Sequence, residues 1–425
     1  MHISTIFKLP VIAILVFALS GCTRKNCTDT IIKTKVYTPV MISLNDYWAS
    51  IKSEAPKEIG ITGKIYVKDQ YIFVNEPYKG IHIIDNSNPV SPKPIAFLNV
   101  MGNLDMAVKG NTLYADSYGD LNVFDIRNPR NISFVKRLSG VINRPIDGNG
   151  MMLGWNPYAD SMVIGYNVRD TTYVCDCTIK GNPEIMLNSP SMTSAYSSQS
   201  SGTGKGGSMA RFTIAKDYLY TVNFYELRAF DLSNAANPSF KSSQIINSGI
   251  ETIFPYGEYL FIGSQNAMFI YDLTNPAAPG KRSAVTHFRA CDPVVVEDTK
   301  AYVTIRSGSS CAGNLNQLQV FDISNVDNPV KLSTTEMKNP FGLGVDHGKL
   351  FVCEGAYGLR FMDVADVNHI ATTALLEGLN TYDVIPFENQ HRLLVSARSG
   401  IYQYDYSEMN HPKLLSKIVA KGFHE

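Results

Sequence analysis

Polar side chains that can contact a ligand recur in short turns at intervals of about 40 residues. The candidates are Glu76, Asp116, Tyr118, Tyr225, Arg306, Glu354, Tyr357 and Arg398. Tyrosine, arginine and carboxylate side chains that converge on a concave surface suit the binding of polar ligands or proteins. A carboxylate pair, such as Glu76 with Asp116 or Glu354, is also what glycoside hydrolysis requires. For each residue the alternative is a solvated turn position without a function.

The short motifs that mark common catalytic and metal sites are missing from this sequence. It has no Gly-x-Ser-x-Gly elbow and no metalloprotease helix motif. Cys175 and Cys177 share one face of a strand, but no nearby histidine completes a zinc site. Residues 202–208 are glycine-rich, yet Gly206 follows Lys205 where a phosphate loop needs Ser or Thr. We therefore predict no catalytic residue, no metal and no cofactor.

The candidate turns belong to a repeated pattern, in which an apolar strand ends in Asp and is followed by small polar residues and Asn-Pro. Clear copies have their aspartate at Asp85, Asp125, Asp231, Asp272 and Asp322, and weaker copies at Asp363 and Asp405. Successive aspartates are 40, 106, 41, 50, 41 and 42 residues apart. The interval of 106 residues leaves room for a degenerate unit around Asp176. A period of about 40 to 45 residues is typical of one four-stranded blade of a β-propeller.

The order of strands within a unit places the candidates on one face. In the second unit we expect strands at 105–108, 113–115, 121–125 and 132–138. The candidates lie in the turns between second and third strands, at the same face as the links between units. The repeated Asp lies at the opposite face and is expected to cap its turn by accepting backbone N–H bonds. A calcium site is disfavoured, because one carboxylate per unit does not supply about six to eight oxygen ligands.

This pattern resembles the LVIVD-repeat family of bacterial β-propeller proteins. The copy Ile81-His82-Ile83-Ile84-Asp85 matches the motif most closely, and the resemblance covers residues 63 to about 420. It implies an all-β fold with a single β-propeller of four-stranded antiparallel blades. We favour eight blades, with seven as the alternative if residues 142–189 are only an insertion. The family implies no activity that can be assigned to particular residues.

The N-terminus predicts export and a lipid anchor. Lys8 precedes an apolar run from Leu9 to Ala18, which is too short to span a bilayer and fits a signal peptide. Leu19-Ser20-Gly21-Cys22 then resembles the bacterial lipobox, in which the cysteine is lipidated, with palmitate as the expected label, and becomes the new N-terminus. The alternative is an ordinary secretory signal. Thr23, instead of Asp, after the cysteine favours the outer membrane and leaves open the side that the protein faces.

These features predict a signal peptide at 1–21, an anchored segment with a short helix at 22–61, and the propeller at 62–420. Residues 188–208 are rich in Ser and Gly and are expected to form a loop. An oxidising periplasm permits a disulfide between Cys291 and Cys311 across an enlarged turn.

Composition narrows the choice of partners. The chain has 38 basic and 38 acidic residues, so nucleic acid is not an expected partner. We expect a cell-envelope lipoprotein whose partners are the membrane, through its lipid, and either another envelope protein or a glycan. The leading hypothesis is a non-enzymatic binding or interaction platform. The alternatives are an envelope glycan hydrolase or lyase and a purely structural scaffold.

Overall fold

Short apolar segments separated by polar turns form strands over most of the chain, as the repeated pattern predicts. The computed structural model describes residues 30–142, 145–147, 149–156, 160–175, 205–286, 293–307 and 315–423. The chain divides into two units, residues 1–38 with 167–187 and residues 39–166 with 188–425. The larger unit contains all the blades.

The chain begins with strand β1 (Thr30–Ser43), helix α1 (Leu44–Ser50) and strand β2 (Lys52–Glu54). Ser43 caps the helix, because its hydroxyl accepts the N–H of Asp46 at 3.1 Å. The helix buries Tyr47.

The repeat units fold into blades of four antiparallel strands each. Blade 1 contains β3 (Ile65–Lys68), β4 (Tyr71–Glu76), β5 (Gly80–Asp85) and β6 (Lys93–Asn99). Blade 2 contains β7 (Met106–Lys109), β8 (Thr112–Ser117), β9 (Asp120–Asp125) and β10 (Ser133–Leu138). Strands β11 (Gly154–Asn156), β12 (Ser161–Cys175) and β13 (Lys205–Gly206) follow in the sequence.

The remaining blades come from the second half of the chain. Blade 3 contains β14 (Phe212–Ala215), β15 (Tyr218–Val222), β16 (Glu226–Asp231) and β17 (Ser239–Ile245). Blade 4 contains β18 (Ile250–Tyr256), β19 (Tyr259–Ser264), β20 (Ala267–Asp272) and β21 (Gly280–Thr286). Blade 5 contains β22 (Val294–Glu297), β23 (Lys300–Ile305), β24 (Gln317–Asp322) and β25 (Val330–Glu336). Blade 6 contains β26 (Leu343–Asp346), β27 (Lys349–Cys353), β28 (Leu359–Asp363) and β29 (Ala371–Leu376). Blade 7 contains β30 (Thr381–Phe387), β31 (Arg392–Ala397), β32 (Gly400–Asp405) and β33 (Lys413–Val419).

The first strands of the blades surround a central channel. They contact one another in the order β3, β7, β14, β18, β22, β26 and β30, and β30 contacts β3 again. The all-β propeller fold is therefore confirmed.

The described residues form eight sheets, and seven of them contain the blades that close the ring. The eighth sheet has three strands in the order β1-β12-β11. Residues 161–175 extend as one long strand that pairs with β1 and β11. They therefore do not form a further four-stranded blade in the described ring. The described ring thus has seven blades, which is the alternative to the eight that the sequence favoured.

Tyrosines on second strands join neighbouring blades. The Tyr114 hydroxyl donates to the carbonyl oxygen of Ala235, and the Tyr220 hydroxyl to that of Pro276, both at 2.8 Å. Each acceptor lies in the Asn-Pro turn of the next blade. Since Tyr114 belongs to blade 2 and Ala235 to blade 3, these two blades are direct neighbours.

The repeated aspartates cap their turns, as predicted. Each accepts the backbone N–H two residues later at 2.7 to 3.0 Å, and the seven are Asp85, Asp125, Asp231, Asp272, Asp322, Asp363 and Asp405. Within the described ranges, no group of three or more His, Cys, Asp or Glu side chains is arranged to hold a metal ion. The Asx cap is therefore sufficient to explain why this aspartate recurs.

Candidate functional site

The propeller has two faces with different turns. We call the face that carries the turns after second strands and the links between blades the link face. The opposite face carries the Asn-Pro turns and is called the Asn-Pro face. All eight predicted site residues belong to the link-face turns or to the strand ends beside them.

Glu76 is buried at the link face of blade 1. Its carboxylate accepts hydrogen bonds from Lys79 Nζ at 2.6 Å, His82 Nε2 at 2.9 Å and the Gly60 N–H at 3.2 Å. Burial acts to raise the pKa of Glu76, but these hydrogen bonds outweigh it and hold the pKa at about 2. Glu76 is therefore ionised, and both of its carboxylate oxygens accept hydrogen bonds from neighbouring residues.

Asp116 fastens the link between blades 1 and 2. Its Oδ1 accepts the backbone N–H groups of Leu104 at 2.7 Å and Asp105 at 2.9 Å, and the Asn103 amide at 2.9 Å. Burial raises the pKa of Asp116 to about 7, even though the backbone hydrogen bonds oppose it. These contacts give Asp116 a structural task.

Tyr118 lies beside Glu76 along one cavity of about 690 Å³. Its backbone has a φ of 49°, and its ring packs so closely on Gly102 that a Cβ there would lie 2.5 Å from the ring. Only 4 % of Tyr118 is exposed, and burial raises its pKa to about 12. Lys57 and Lys421 also line this cavity, so its walls combine ammonium groups with aromatic surface.

Two of the predicted residues, Arg306 and Tyr357, lie in a group at blades 5, 6 and 7 that we call the aromatic–cation cluster. The cluster also contains Lys338, Phe341 and Tyr382. The Arg306 guanidinium lies 4.1 Å from the ring centroid of Phe341, which meets the Tyr382 ring edge to face at 5.9 Å. Lys338 Nζ lies 5.2 Å from the ring centroid of Tyr357, which is 48 % exposed.

Glu354 stabilises the backbone of this cluster. It is fully buried, and its Oε2 accepts a hydrogen bond from Arg360 Nε at 2.7 Å and lies 2.6 Å from Arg360 Nη2 in an ion pair. Its other oxygen accepts the Lys338 N–H at 2.7 Å. Glu354 thus holds in place the backbone that carries Lys338.

The remaining predictions have other outcomes. Tyr225 is 53 % exposed and packs edge to face on Phe224, while Arg398 is exposed at blade 7. Neither residue is among those that make up the cavity lining or the aromatic–cation cluster. Cys291 and Cys311, the predicted disulfide pair, lie outside the described residues.

The sequence missed a segment that fills the central channel. Residues 205–211, which we call the channel segment, pair through β13 with β3 of blade 1. Ser208 Oγ accepts the Leu343 N–H of blade 6 at 2.7 Å, and the Ala210 carbonyl oxygen accepts the Ile253 N–H of blade 4 at 2.8 Å. Gly206, Gly207 and Ser208, which composition assigned to a loop, are therefore buried. The small side chains of Gly206, Gly207, Ser208 and Ala210 were the available signal for a narrow space.

Buried charges surround the channel segment. Lys64 Nζ lies 2.5 Å from Asp105 Oδ2, and both side chains are almost fully buried. The same Asp105 oxygen accepts the Arg211 N–H at 2.7 Å. Burial lowers the pKa of Lys64 to about 8, while the Asp105 carboxylate opposes that shift.

A second cavity, of about 680 Å³, lies at the Asn-Pro end of the channel beside Lys205. Its acidic side chains secure local structure: Glu297 accepts the N–H groups of His347 and Gly348, and Glu388 pairs with Lys205 at 2.7 Å. The sequence did not predict this cavity, because the residues that line it include parts of first strands from four blades that are far apart in the sequence.

The family comparison agrees with the repeat pattern. The model of the LVIVD repeat matches residues 59–96, 104–139 and 252–286. The chain carries LVIVD repeats. The matched LVIVD repeats fall on blades 1, 2 and 4, where the Asp-Asn-Pro motif is also clear.

Solved structures share the fold of this LVIVD-repeat protein. The periplasmic gluconolactonase PpgL of Pseudomonas aeruginosa is 11 % identical, with a TM-score of 0.54, and the match covers 84 % of this chain and 96 % of that one. A protein from Lactobacillus plantarum is 10 % identical, with a TM-score of 0.53 and coverage of 84 % and 96 %. BamB from Moraxella catarrhalis is 9 % identical, with a TM-score of 0.50 and coverage of 87 % and 99 %. At these identities the likeness shows the fold alone.

No curated protein sequence matches the chain. Among the described residues, none of the helices has the length and apolar character needed to cross a bilayer.

Proposed function

We propose that this LVIVD-repeat protein is a lipoprotein of the bacterial cell envelope whose propeller is a non-enzymatic binding platform. Its partner is another envelope protein or a glycan, bound at the link face. The observation that carries the proposal is the aromatic–cation cluster, which presents the half-exposed Tyr357 beside Lys338. Tyrosine and basic side chains of this kind are enriched among the residues that dominate binding energy.

The cluster is pre-organised by its surroundings. Phe341 is held by a hydrogen bond from its N–H to the Cys353 carbonyl oxygen, and Thr304 donates to the Phe341 carbonyl oxygen. Arg306 lies against the Phe341 ring, so its guanidinium is oriented before any partner arrives. Groups that are fixed in this way lose little side-chain entropy on binding.

The positions of the predicted carboxylates support binding over hydrolysis. Glu76, Asp116 and Glu354 each accept hydrogen bonds from neighbouring residues of this chain. A glycan hydrolase or lyase would need two such carboxyl groups turned toward a substrate. The fold likeness to a gluconolactonase adds no residue-level argument for the enzymatic alternative.

Binding is tested by comparing Tyr357→Ala with Tyr225→Ala. Both tyrosines are about half exposed on the link face, but only Tyr357 belongs to the cluster. Against partners found by glycan array and by cross-linking in envelope extracts, we expect Tyr357→Ala to weaken binding at least about tenfold. Tyr225→Ala should bind as the unmodified protein does. Equal losses in both variants, or a loss only in Tyr225→Ala, would contradict the assignment of the cluster.

The envelope anchor is tested at Cys22. Cells that express the unmodified chain should incorporate labelled palmitate into it, and the protein should pellet with membranes. The Cys22→Ala variant should carry no label, because no thiol remains to receive the lipid. Absence of label from the unmodified chain would refute the anchor.

A further inference from the structure

The channel segment closes on a buried carboxyl group of blade 7. Asp383 is 3 % exposed, and its Oδ1 accepts the Val384 N–H at 3.0 Å and the Ser208 hydroxyl at 3.4 Å. The backbone N–H of Met209 also lies close enough to act on this carboxyl group. Its Oδ2 has no hydrogen-bond partner among the described residues. Two residues of the channel segment, Ser208 and Met209, thus contact a carboxyl group that is only half satisfied.

Two glycines confine this carboxyl group. A Cβ added to Gly207 would lie 2.0 Å from Asp383 Oδ2, and one added to Gly342 would lie 2.4 Å from Oδ1. The backbone of the channel segment is therefore in direct contact with Asp383. Any residue larger than glycine at position 207 would have to displace either the segment or the Asp383 side chain.

The charges around Asp383 do not neutralise it. Lys64 is the cation that acts on it, but Lys64 is paired with Asp105. The groups that face this part of the channel are Lys64 at the start of blade 1, Asp105 and Asp116 of blade 2, Arg211 of the channel segment and Cys353 of β27. An ionised Asp383 would therefore be a buried carboxylate with an unbonded oxygen, and such burial raises the free energy of the closed state.

We propose that Asp383 is a pH-sensitive latch: its protonated form holds the channel segment in place, and loss of the proton favours release of the segment. Release would expose Lys64 and Asp105 to solvent. The latch lies inside the ring and does not depend on the partner that the link face binds.

The direction of the pH dependence follows from the carboxyl group. Burial raises the pKa of Asp383 from 3.8 to about 7 in the closed state. In an open, hydrated state the pKa returns to its ordinary value, so the closed state binds more protons between these two limits. The equilibrium constant for closing is therefore largest below pH 4. It falls as the pH rises toward 7, by up to about tenfold per pH unit.

Hydrogen exchange of the full chain tests the latch. We measure protection factors, corrected for intrinsic exchange rates, at Gly207, Met209 and Arg211 between pH 5 and pH 8. In the unmodified protein these factors should fall by up to about a hundredfold across that range. The Asp383→Asn variant keeps the shape of the protonated side chain and should stay protected at pH 8.

Two further variants make the result decisive. Asp116→Asn removes the other carboxyl group that titrates near pH 7, and it should leave the pH dependence at 207–211 unchanged. Gly207→Ala should lose protection at every pH, because its Cβ would collide with Asp383. Protection that does not vary with pH in the unmodified protein, or that varies equally in Asp383→Asn, would overturn the latch. Full protection in Gly207→Ala would show that Asp383 does not contact the segment as described.

Discussion

Replacing Lys64 with Met should lower the free energy of unfolding by about 3 to 5 kcal/mol. Lys64 and Asp105 form an ion pair whose two side chains are almost fully buried. Methionine has a similar length but no charge, so it leaves the Asp105 carboxylate buried without its cation. Asp105 also accepts the N–H groups of Met106 and Arg211, and the penalty would therefore extend to the channel segment.

The double variant Lys64→Met/Asp105→Asn separates the charge from the packing. Asparagine carries no charge and keeps one acceptor oxygen, so it can accept the N–H of Met106 or that of Arg211 but not both, because these two bonds use different Asp105 oxygens. We expect the double variant to recover at least about half of the lost stability, because it removes the uncompensated carboxylate. Urea unfolding at constant slope measures both values. If the double variant loses as much free energy of unfolding as the two single substitutions together, the Lys64–Asp105 ion pair is not the source of the lost stability.

The sequence predicted the repeat and its turns well because both depend on local chemistry. An apolar strand that ends in Asp dictates its own Asx cap, so each of the seven aspartates accepts the N–H group two residues later. The blade count was harder to derive. Residues 161–175 have the length of two short strands and a turn, but they extend as one strand beside β11 and β1.

The candidate site shows the same division between local and long-range effects. The period of the repeat was enough to place Arg306, Glu354 and Tyr357 on one face. It did not reveal that Glu354 is buried, since its partners Arg360 and Lys338 meet it only after β27 and β28 have paired. The channel segment was missed for a similar reason, because its partners belong to first strands far away in the sequence.

Blade 6 must pack correctly for the aromatic–cation cluster to exist, and Phe351 contributes a fully buried ring to that packing. Phe351 is fully buried on β27, with its ring 5.4 Å from that of Phe361 and 4.6 Å from that of Tyr406. It lies two residues before Cys353, whose carbonyl oxygen accepts the Phe341 N–H. Loss of this ring would therefore loosen the strand that positions the cluster.

Phe351→Ala should lower the free energy of unfolding by about 3 to 5 kcal/mol, because it removes a buried ring and leaves a cavity between blades 6 and 7. The matched control is Phe240→Ala on the outer strand of blade 3. Phe240 also packs edge to face on a buried ring, Phe230, but is itself 46 % exposed. We expect the control to cost about 1 kcal/mol, since less apolar surface is lost from the core. Equal effects of the two substitutions in denaturant unfolding would mean that blade 6 is not packed as the structure has it, and the support for the cluster would fall with it.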